Sequence, residues 1–194
     1  MSFAIQSNVS RKLFNPYAQT KKSADTDFEK EFSGSATSAS TSSGKGKNIG
    51  IMTIGSCGFI AQYADSSTEQ EPIVKVGNYD IRINDVDPQN ATRIEMFALL
   101  SYLDDKGLIQ NHGMKSYNKM MTSAMQAEYN GFCECIYDES SAYSLRRDWI
   151  AILNNAIETF FNIPETYKQA LDSQNIITCL EKWKADLFKN KLSI

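Results

Sequence analysis

The residues of this chain best suited to nucleophilic chemistry are Cys57 and the single histidine, His112. Cys57 lies in the stretch GSCGFIAQYAD, and we expect FIAQYAD to form a short helix after a turn. A cysteine at a helix N-terminus is activated, because the unpaired backbone N–H groups there favour the thiolate. The two residues therefore fit the nucleophile and the base of a cysteine hydrolase.

The segment GSCGF resembles the sequence around the nucleophile of papain-like hydrolases, in which the cysteine also precedes the histidine. It departs from that family in two respects. The family places a Trp beside the cysteine, whereas Phe59 stands two residues on here, and no Asn or Asp matches the group that orients the histidine. We therefore expect Ser56-Cys57-Gly58 to be a structural turn, with Cys57 and His112 as the catalytic candidates of an alternative function.

Two further patterns contain residue types that bind metal ions. Cys133 and Cys135 form a CxC pair, but zinc in proteins is held by about four ligands, usually from paired motifs. The remaining cysteines are isolated, and one histidine serves the whole chain. The acidic stretch NDVDPQN lacks the glycine and the glutamate of an EF-hand loop, because Asn90 and Met96 stand at those positions. We therefore predict no metal site and no cofactor.

Length, charge and apolar content limit the classes of protein to consider. The chain has 194 residues and a formal net charge of −3, which does not favour nucleic acid as a partner. It has no apolar run of about 20 residues that would cross a membrane and no secretory signal. We expect a cytoplasmic protein at synthesis, with export independent of a signal peptide left open. The four cysteines are expected to be free thiols, although an even number also fits a disulfide framework.

The composition divides the chain into residues 1–47 and residues 48–194. Residues 33–47, SGSATSASTSSGKGK, are of low complexity and cannot bury enough apolar surface to offset the entropy of ordering them. We expect residues 1–47 to be a disordered N-terminal arm that ends in a flexible linker. Apolar residues scattered along such an arm suit recognition of a protein partner, although an inert tail would look similar. The candidate partner-binding residues are Phe3, Ile5, Leu13, Phe14, Tyr17, Phe28 and Phe32.

Residues 48–194 have the pattern of a single α+β domain. The segment NIGIMTIG, residues 48–55, is expected to be a strand. Ile73–Val76 and Tyr79–Ile83 are expected to pair as a hairpin across Gly77-Asn78, a two-residue turn signal. A small antiparallel sheet of about three strands, followed by a bundle of four to five helices, is typical of an α+β fold.

Hydrophobic periodicity predicts the helices of this domain. One spans residues 90–107 with Asn90 as its cap, and it is apolar on nearly all sides, so that we expect it to be the central buried helix. Others are expected at 114–128, at 145–161 and after Ser173. Four methionines on or near the second helix fit either a plain core or an adaptable peptide-binding surface. They are Met114, Met120, Met121 and Met125.

The segments GFIAQYAD, EPIVKVG and DVDPQNATRIEMFALLSYLDD resemble, as a set, uncharacterised proteins of Gram-positive bacteria over most of residues 48–185. That resemblance implies no function. Residues 1–47 are similar in composition to the N-termini of flagellar export substrates, which carry no cleaved signal. We therefore expect a non-enzymatic protein-interaction module whose arm docks on a partner, such as an export or assembly component. The alternatives are the cysteine hydrolase and a secreted effector-type binding protein.

Overall fold

The computed structural model describes residues 46–55, 57–109 and 114–192, with side chains as far as Lys189. The described residues belong to one compact unit, residues 42–194. The strands are β1 (Asn48–Ile54), β2 (Cys57–Tyr63), β3 (Ile73–Val76) and β4 (Tyr79–Arg82). The α-helices are α1 (Arg93–Asp105), α2 (Ser116–Tyr129), α3 (Ser141–Ser144), α4 (Trp149–Phe161) and α5 (Tyr167–Leu192). A small antiparallel sheet followed by helices confirms the α+β prediction for this part of the chain.

The sheet is a meander in the order β1-β2-β3-β4, and all neighbouring strands are antiparallel. The predicted hairpin is confirmed: Val76 pairs with Tyr79 across the two-residue turn, and Gly77 has a φ of 58°, which a glycine adopts without strain. Side chains alternate across the sheet, with Val74 and Ile81 buried and their neighbours Lys75 and Asp80 exposed. One face of the sheet therefore covers the core.

The helix predicted within GSCGFIAQYAD is wrong, because Cys57–Tyr63 is the strand β2. The turn before it is also shorter than predicted, since Cys57 already pairs with Ile54 of β1. β2 pairs with β1 on one side and with β3 on the other, and Ala61 at its centre is fully buried. Pairing on both sides satisfies the backbone of a segment whose own pattern is ambiguous. The sheet consequently has four strands instead of about three.

The predicted central helix is confirmed as α1. Every residue from Arg93 to Leu103 except Glu95 is buried. The predicted cap is wrong, because Thr92, not Asn90, is the N-cap. The sheet approaches α1 closely at Gly50 of β1, where an added Cβ would overlap the Ser101 side chain.

Helices α2, α4 and α5 pack against one another. The hydroxyl groups of Ser123 in α2 and Ser173 in α5 are hydrogen-bonded at 2.6 Å in a buried position. Lys119 and Asp172 form an ion pair at 2.8 Å between the same helices. None of the helices in the described part of the chain is both long and apolar enough to span a membrane.

Two helix starts differ from the predictions. The helix predicted from residue 145 begins at Trp149, because Arg147 pairs with Ala91 as an isolated bridge and Asp148 caps the helix by accepting a 2.9 Å hydrogen bond from the Ala151 backbone N–H. The last helix begins at Tyr167, before Ser173. Ser173 therefore lies inside the helix and does not precede it.

Candidate functional site

The candidate functional site is centred on Arg93, the first residue of α1. Arg93 is 4% exposed, and its Nη1 atom donates a hydrogen bond to the carbonyl oxygen of Ile136 at 2.6 Å. Its Nε atom is buried and has no hydrogen-bond partner in the described part of the chain. Within the described residues Arg93 forms no ion pair. A buried guanidinium without a carboxylate has lost hydration without full compensation, which is unfavourable.

The start of α1 is fixed by contacts that position Arg93. The Thr92 hydroxyl accepts a hydrogen bond from the Glu95 backbone N–H at 3.2 Å, and a Glu95 carboxylate oxygen accepts one from the Thr92 backbone N–H at 2.7 Å. This capping box defines the first turn of the helix. The preceding residue, Ala91, accepts a 2.8 Å hydrogen bond from the indole N–H of the fully buried Trp149. Arg93 is therefore held on a rigid part of the core.

Arg93 lines an open cavity of about 300 Å³. Tyr117 packs edge-on against Phe97 at a ring-centroid distance of 5.0 Å and is buried, whereas Met114 and Tyr137 are about half exposed. The cavity therefore has one buried cation among apolar walls and a few hydroxyl and amide groups, as is typical of a binding pocket. Its lining residues are Met52, Thr53, Arg93, Met114, Tyr117, Asn118, Met121, Thr122 and Tyr137.

The loop after α2 contains the CxC pair and carries Tyr137 to the cavity. Cys135 adopts a left-handed backbone with a φ of 57°, which is unusual for a residue other than glycine. Its carbonyl oxygen accepts hydrogen bonds from the Ser141 hydroxyl at 2.9 Å and from Arg147 Nη2 at 3.1 Å. The next residue, Ile136, is 2% exposed and presents its carbonyl oxygen to Arg93. The pair therefore belongs to a turn that builds one wall of the site.

Among the described residues no titratable group forms an ion pair with Arg93. Burial raises the pKa of Tyr117 to about 12, although the positive charge of Arg93 opposes the shift. Burial also raises the pKa of Tyr137, again against the effect of Arg93. Both tyrosines are consequently neutral at physiological pH. The pKa of Asp138 is lowered mainly by the Ser140 hydroxyl and only least by Arg93, and this carboxylate is fully exposed.

The function has to be argued from this geometry. No protein-family model, no curated protein and no solved structure matches the chain. The resemblances to proteins of Gram-positive bacteria and to flagellar export substrates therefore stay predictions.

The structure does not bring a catalytic pair together from the residues that it describes. Cys57 is exposed at the first position of β2, so the helix N-terminus that would favour its thiolate is not present. His112 lies outside the described residues. No geometric observation therefore favours the cysteine hydrolase.

The remaining sequence candidates have other surroundings. All seven partner-binding candidates, from Phe3 to Phe32, lie outside the described residues. Asp87 of the acidic stretch pairs with Lys184 at 2.9 Å, and this hydrogen bond is the main reason why its pKa is lowered. Cys133, Cys135 and the other two cysteines are free thiols. Among the described residues no group of three or more His, Cys, Asp and Glu side chains is placed to hold a metal ion.

Among the described residues singled out from the sequence, only members of the methionine cluster line the cavity. Met120 and Met121 are buried, as the plain-core interpretation expects, whereas Met114 and Met125 are about half exposed, and for them the peptide-binding interpretation stays a prediction. Met114 and Met121 line the cavity. Arg93 and the two tyrosines were not among the sequence candidates, because an arginine at a helix start is usually solvated.

Proposed function

We propose that the protein is a non-enzymatic protein-interaction module in which the Arg93 pocket binds an acidic side chain of a partner protein. The observation that supports this most directly is the Arg93 guanidinium, which is buried and, among the described residues, has an unpartnered Nε atom and forms no ion pair. A carboxylate can accept two parallel N–H bonds from a guanidinium. An Asp or Glu side chain would therefore supply both the charge and the acceptors that Arg93 lacks.

The residue types around Arg93 favour a protein over a small metabolite as the ligand. Arg, Tyr and Met are enriched at protein interfaces, and the flexible Met side chain adapts to different partners. The wall of the pocket continues along α2, where Met125 and Tyr129 follow Asn118 and Thr122 on one helical stripe. Met125 is 49% and Tyr129 is 88% exposed. A partner segment with its acidic residue in the pocket would pack along this stripe.

The arm formed by residues 1–47 supplies the second attachment in this proposal. Its seven apolar anchors, spaced among polar residues, suit docking on a protein surface. We expect the arm and the Arg93 pocket to act on the same partner, because two linked contacts raise the affinity beyond that of either one. An export or assembly component is the class of partner that the composition of the arm suggests.

The test is affinity capture with the full chain from its own cells, followed by calorimetry with the purified partner. The variants are Arg93→Met, Met114→Glu, a deletion of residues 1–47 and the control Lys168→Met, an exposed residue of α5. We expect Arg93→Met to weaken binding by at least about 30-fold, as for other truncated buried charge pairs. Met114→Glu should weaken it as well, because a second carboxylate at the pocket repels that of the partner. Deletion of the arm should weaken it further, and Lys168→Met should not change it.

A matched substitution in the partner identifies the ligand group. Replacing the interacting Asp or Glu of the partner by Asn or Gln should cause the same loss as Arg93→Met, with no additional loss when both are combined. Equal affinity of the parent chain and Arg93→Met would overturn the proposal, as would a partner in which no acidic residue matters. Met114→Glu keeps the test valid if Arg93→Met does not fold, since Met114 is 53% exposed.

A further inference from the structure

Strand β4 is an edge of the sheet that the described residues form. It pairs with β3 on one side, and β4 is the last strand in the sheet order. The Ile83 backbone N–H donates a 2.9 Å hydrogen bond to the Pro72 carbonyl oxygen, next to β3 in the chain. The backbone groups of Ile83 are therefore directed toward the β3 side. Because antiparallel pairing alternates along a strand, Ile81 also directs its backbone toward β3, whereas Asp80 and Arg82 direct theirs away from the sheet. In the described part of the chain, the backbone groups of Asp80 and Arg82 on the outer side of β4 therefore form no hydrogen bond to another strand.

The side chains at the same two positions carry opposite charges. Asp80 and Arg82 are exposed and lie on one face of the sheet, two residues apart. In the described part of the chain neither forms an ion pair. The sequence Asp80-Ile81-Arg82 is self-complementary when two strands run antiparallel. A register centred on Ile81 places Asp80 of each copy opposite Arg82 of the other.

The direction of the backbone groups and the pairing of opposite charges favour the same register. The residues that direct their N–H and C=O groups outward are also the residues that would meet in oppositely charged pairs. Each such pair exchanges two N–H···O=C bonds, and opposite charges directly across two strands are favourable. A cavity of about 410 Å³ is lined by all four residues of β4 and, on other elements, by side chains that include Tyr143 and Arg146.

We propose that the protein forms a two-fold homodimer in which β4 pairs antiparallel with β4 of a second copy. A short, charged edge strand such as β4 is commonly protected from pairing, but its two charges have opposite signs and so favour an antiparallel second copy. The other edge strand, β1, has an irregular register between Asn48 and Gly50, whereas the pairing of β4 with β3 is regular. Since one surface meets itself, the contact closes at two copies. This interface goes beyond the proposed function and does not depend on the Arg93 pocket.

Charge reversal tests the register in the full chain by sedimentation velocity. We expect the parent protein to be a concentration-dependent dimer between about 10 and 200 µM, as for a small interface. Asp80→Arg and Arg82→Asp should each raise the dimer dissociation constant by about tenfold or more, because like charges then lie opposite each other. An equimolar mixture of the two variants should form a heterodimer, since all facing charges are then opposite. The double variant Asp80→Arg/Arg82→Asp should recover the homodimer, and Lys168→Asp should behave as the parent.

Each result decides the proposal. A parent protein that stays monomeric over this range overturns it, and so does a dimer that both single variants leave intact. Single variants that are monomeric and fail to associate when mixed contradict the register. Recovery of association in the mixture also excludes misfolding as the reason for the loss.

Discussion

Two arginines near the N-terminus of α1 are satisfied to very different degrees. Arg146 has a side chain that is 50% exposed, and it donates hydrogen bonds to the Asn90 carbonyl oxygen at 2.6 Å and to the Glu95 carboxylate at 2.7 Å. Arg93 is 4% exposed and donates to one carbonyl oxygen. Within the described residues the half-exposed Arg146 forms an ion pair, whereas the buried Arg93, whose charge is costlier to leave unpaired, forms none. Arg146 has its hydrogen-bond acceptors and its counter-charge among the described residues, whereas for Arg93 the proposed acidic ligand would supply them.

The largest expected effect is the difference in partner affinity between substitutions of Arg93 and Arg146. Arg93→Met should weaken partner binding by at least about 30-fold, whereas Arg146→Met should change it by less than about threefold, because its carboxylate already lies within the chain. Calorimetry with the purified partner measures both values. Chemical unfolding of Arg93→Met should stay within about 1 kcal/mol of the parent, since replacing a buried charge by an apolar side chain removes its desolvation cost. An equal loss of partner affinity in Arg93→Met and Arg146→Met would contradict the proposed difference between the two arginines.

The burial of Tyr117, which lines the cavity with Arg93, makes the free energy of unfolding depend on pH. Its pKa is 10.0 in the reference state and is raised to about 12 by burial. As the pH rises, the unfolded chain therefore loses the Tyr117 proton at a lower pH than the folded chain does. The contribution of Tyr117 to the free energy of unfolding is complete below about pH 10 and is lost as the pH rises to about 12. The loss is on the order of 2–3 kcal/mol. Urea unfolding at several alkaline pH values measures it.

The matched control for this pH effect is Tyr117→Phe, which keeps the ring and removes the titrating group. The variant should lose less stability than the parent over the same pH range. Burial also raises the pKa values of Tyr63 and Tyr102, so part of the dependence should remain. Identical pH profiles for the parent and the variant would show that Tyr117 is not buried as described.

The capping box that positions both arginines should give a smaller effect. Thr92→Ala removes the acceptor for the Glu95 backbone N–H and should lower the free energy of unfolding by about 1 kcal/mol. Thermal or urea unfolding measures the change. Thr92→Ser, which keeps the hydroxyl, is the control and should stay close to the parent. A loss of the same size in Thr92→Ser would mean that the cap hydrogen bond is not its cause.

The smallest effect is expected for the satisfied arginine. Arg146→Met breaks an exposed ion pair with Glu95, so the free energy of unfolding should fall by less than about 1 kcal/mol. The difference should shrink further at high salt, because exposed charges are screened. A loss of several kcal/mol, independent of salt, would place Arg146 in the same class as Arg93.

The parts of the fold that were predicted correctly depend on residues close together in the chain. The hairpin of β3 and β4 follows from a two-residue turn between alternating strands, and the buried character of α1 follows from apolar side chains around the whole helix. The wrong predictions concern segments whose local sequence fits two kinds of secondary structure. Cys57–Tyr63 contains apolar residues at positions that fit either a short helix or a strand, and pairing with β1 and β3 selects the strand.

The site could not be predicted in the same way. Arg93 meets the carbonyl group of Ile136, which is 43 residues away, and the start of its helix is held by Trp149, which contacts Ala91 across 58 residues. An arginine at the first turn of a helix has the same local pattern whether it is solvated or buried. The methionines gave a partial signal, because two of them line the cavity.

The sequence by itself determined the alternation of β3 and β4, the apolar character of α1 and the charges of Asp80 and Arg82. Nearest neighbours fix these properties, because the strand and helix periods place side chains without reference to the rest of the chain. For the described residues, the tertiary structure decided that β2 is a strand, that β4 lies at an edge and that Arg93 is buried without an ion pair. Pairing and desolvation depend on which distant segments pack together, and that choice minimises the free energy of the whole domain.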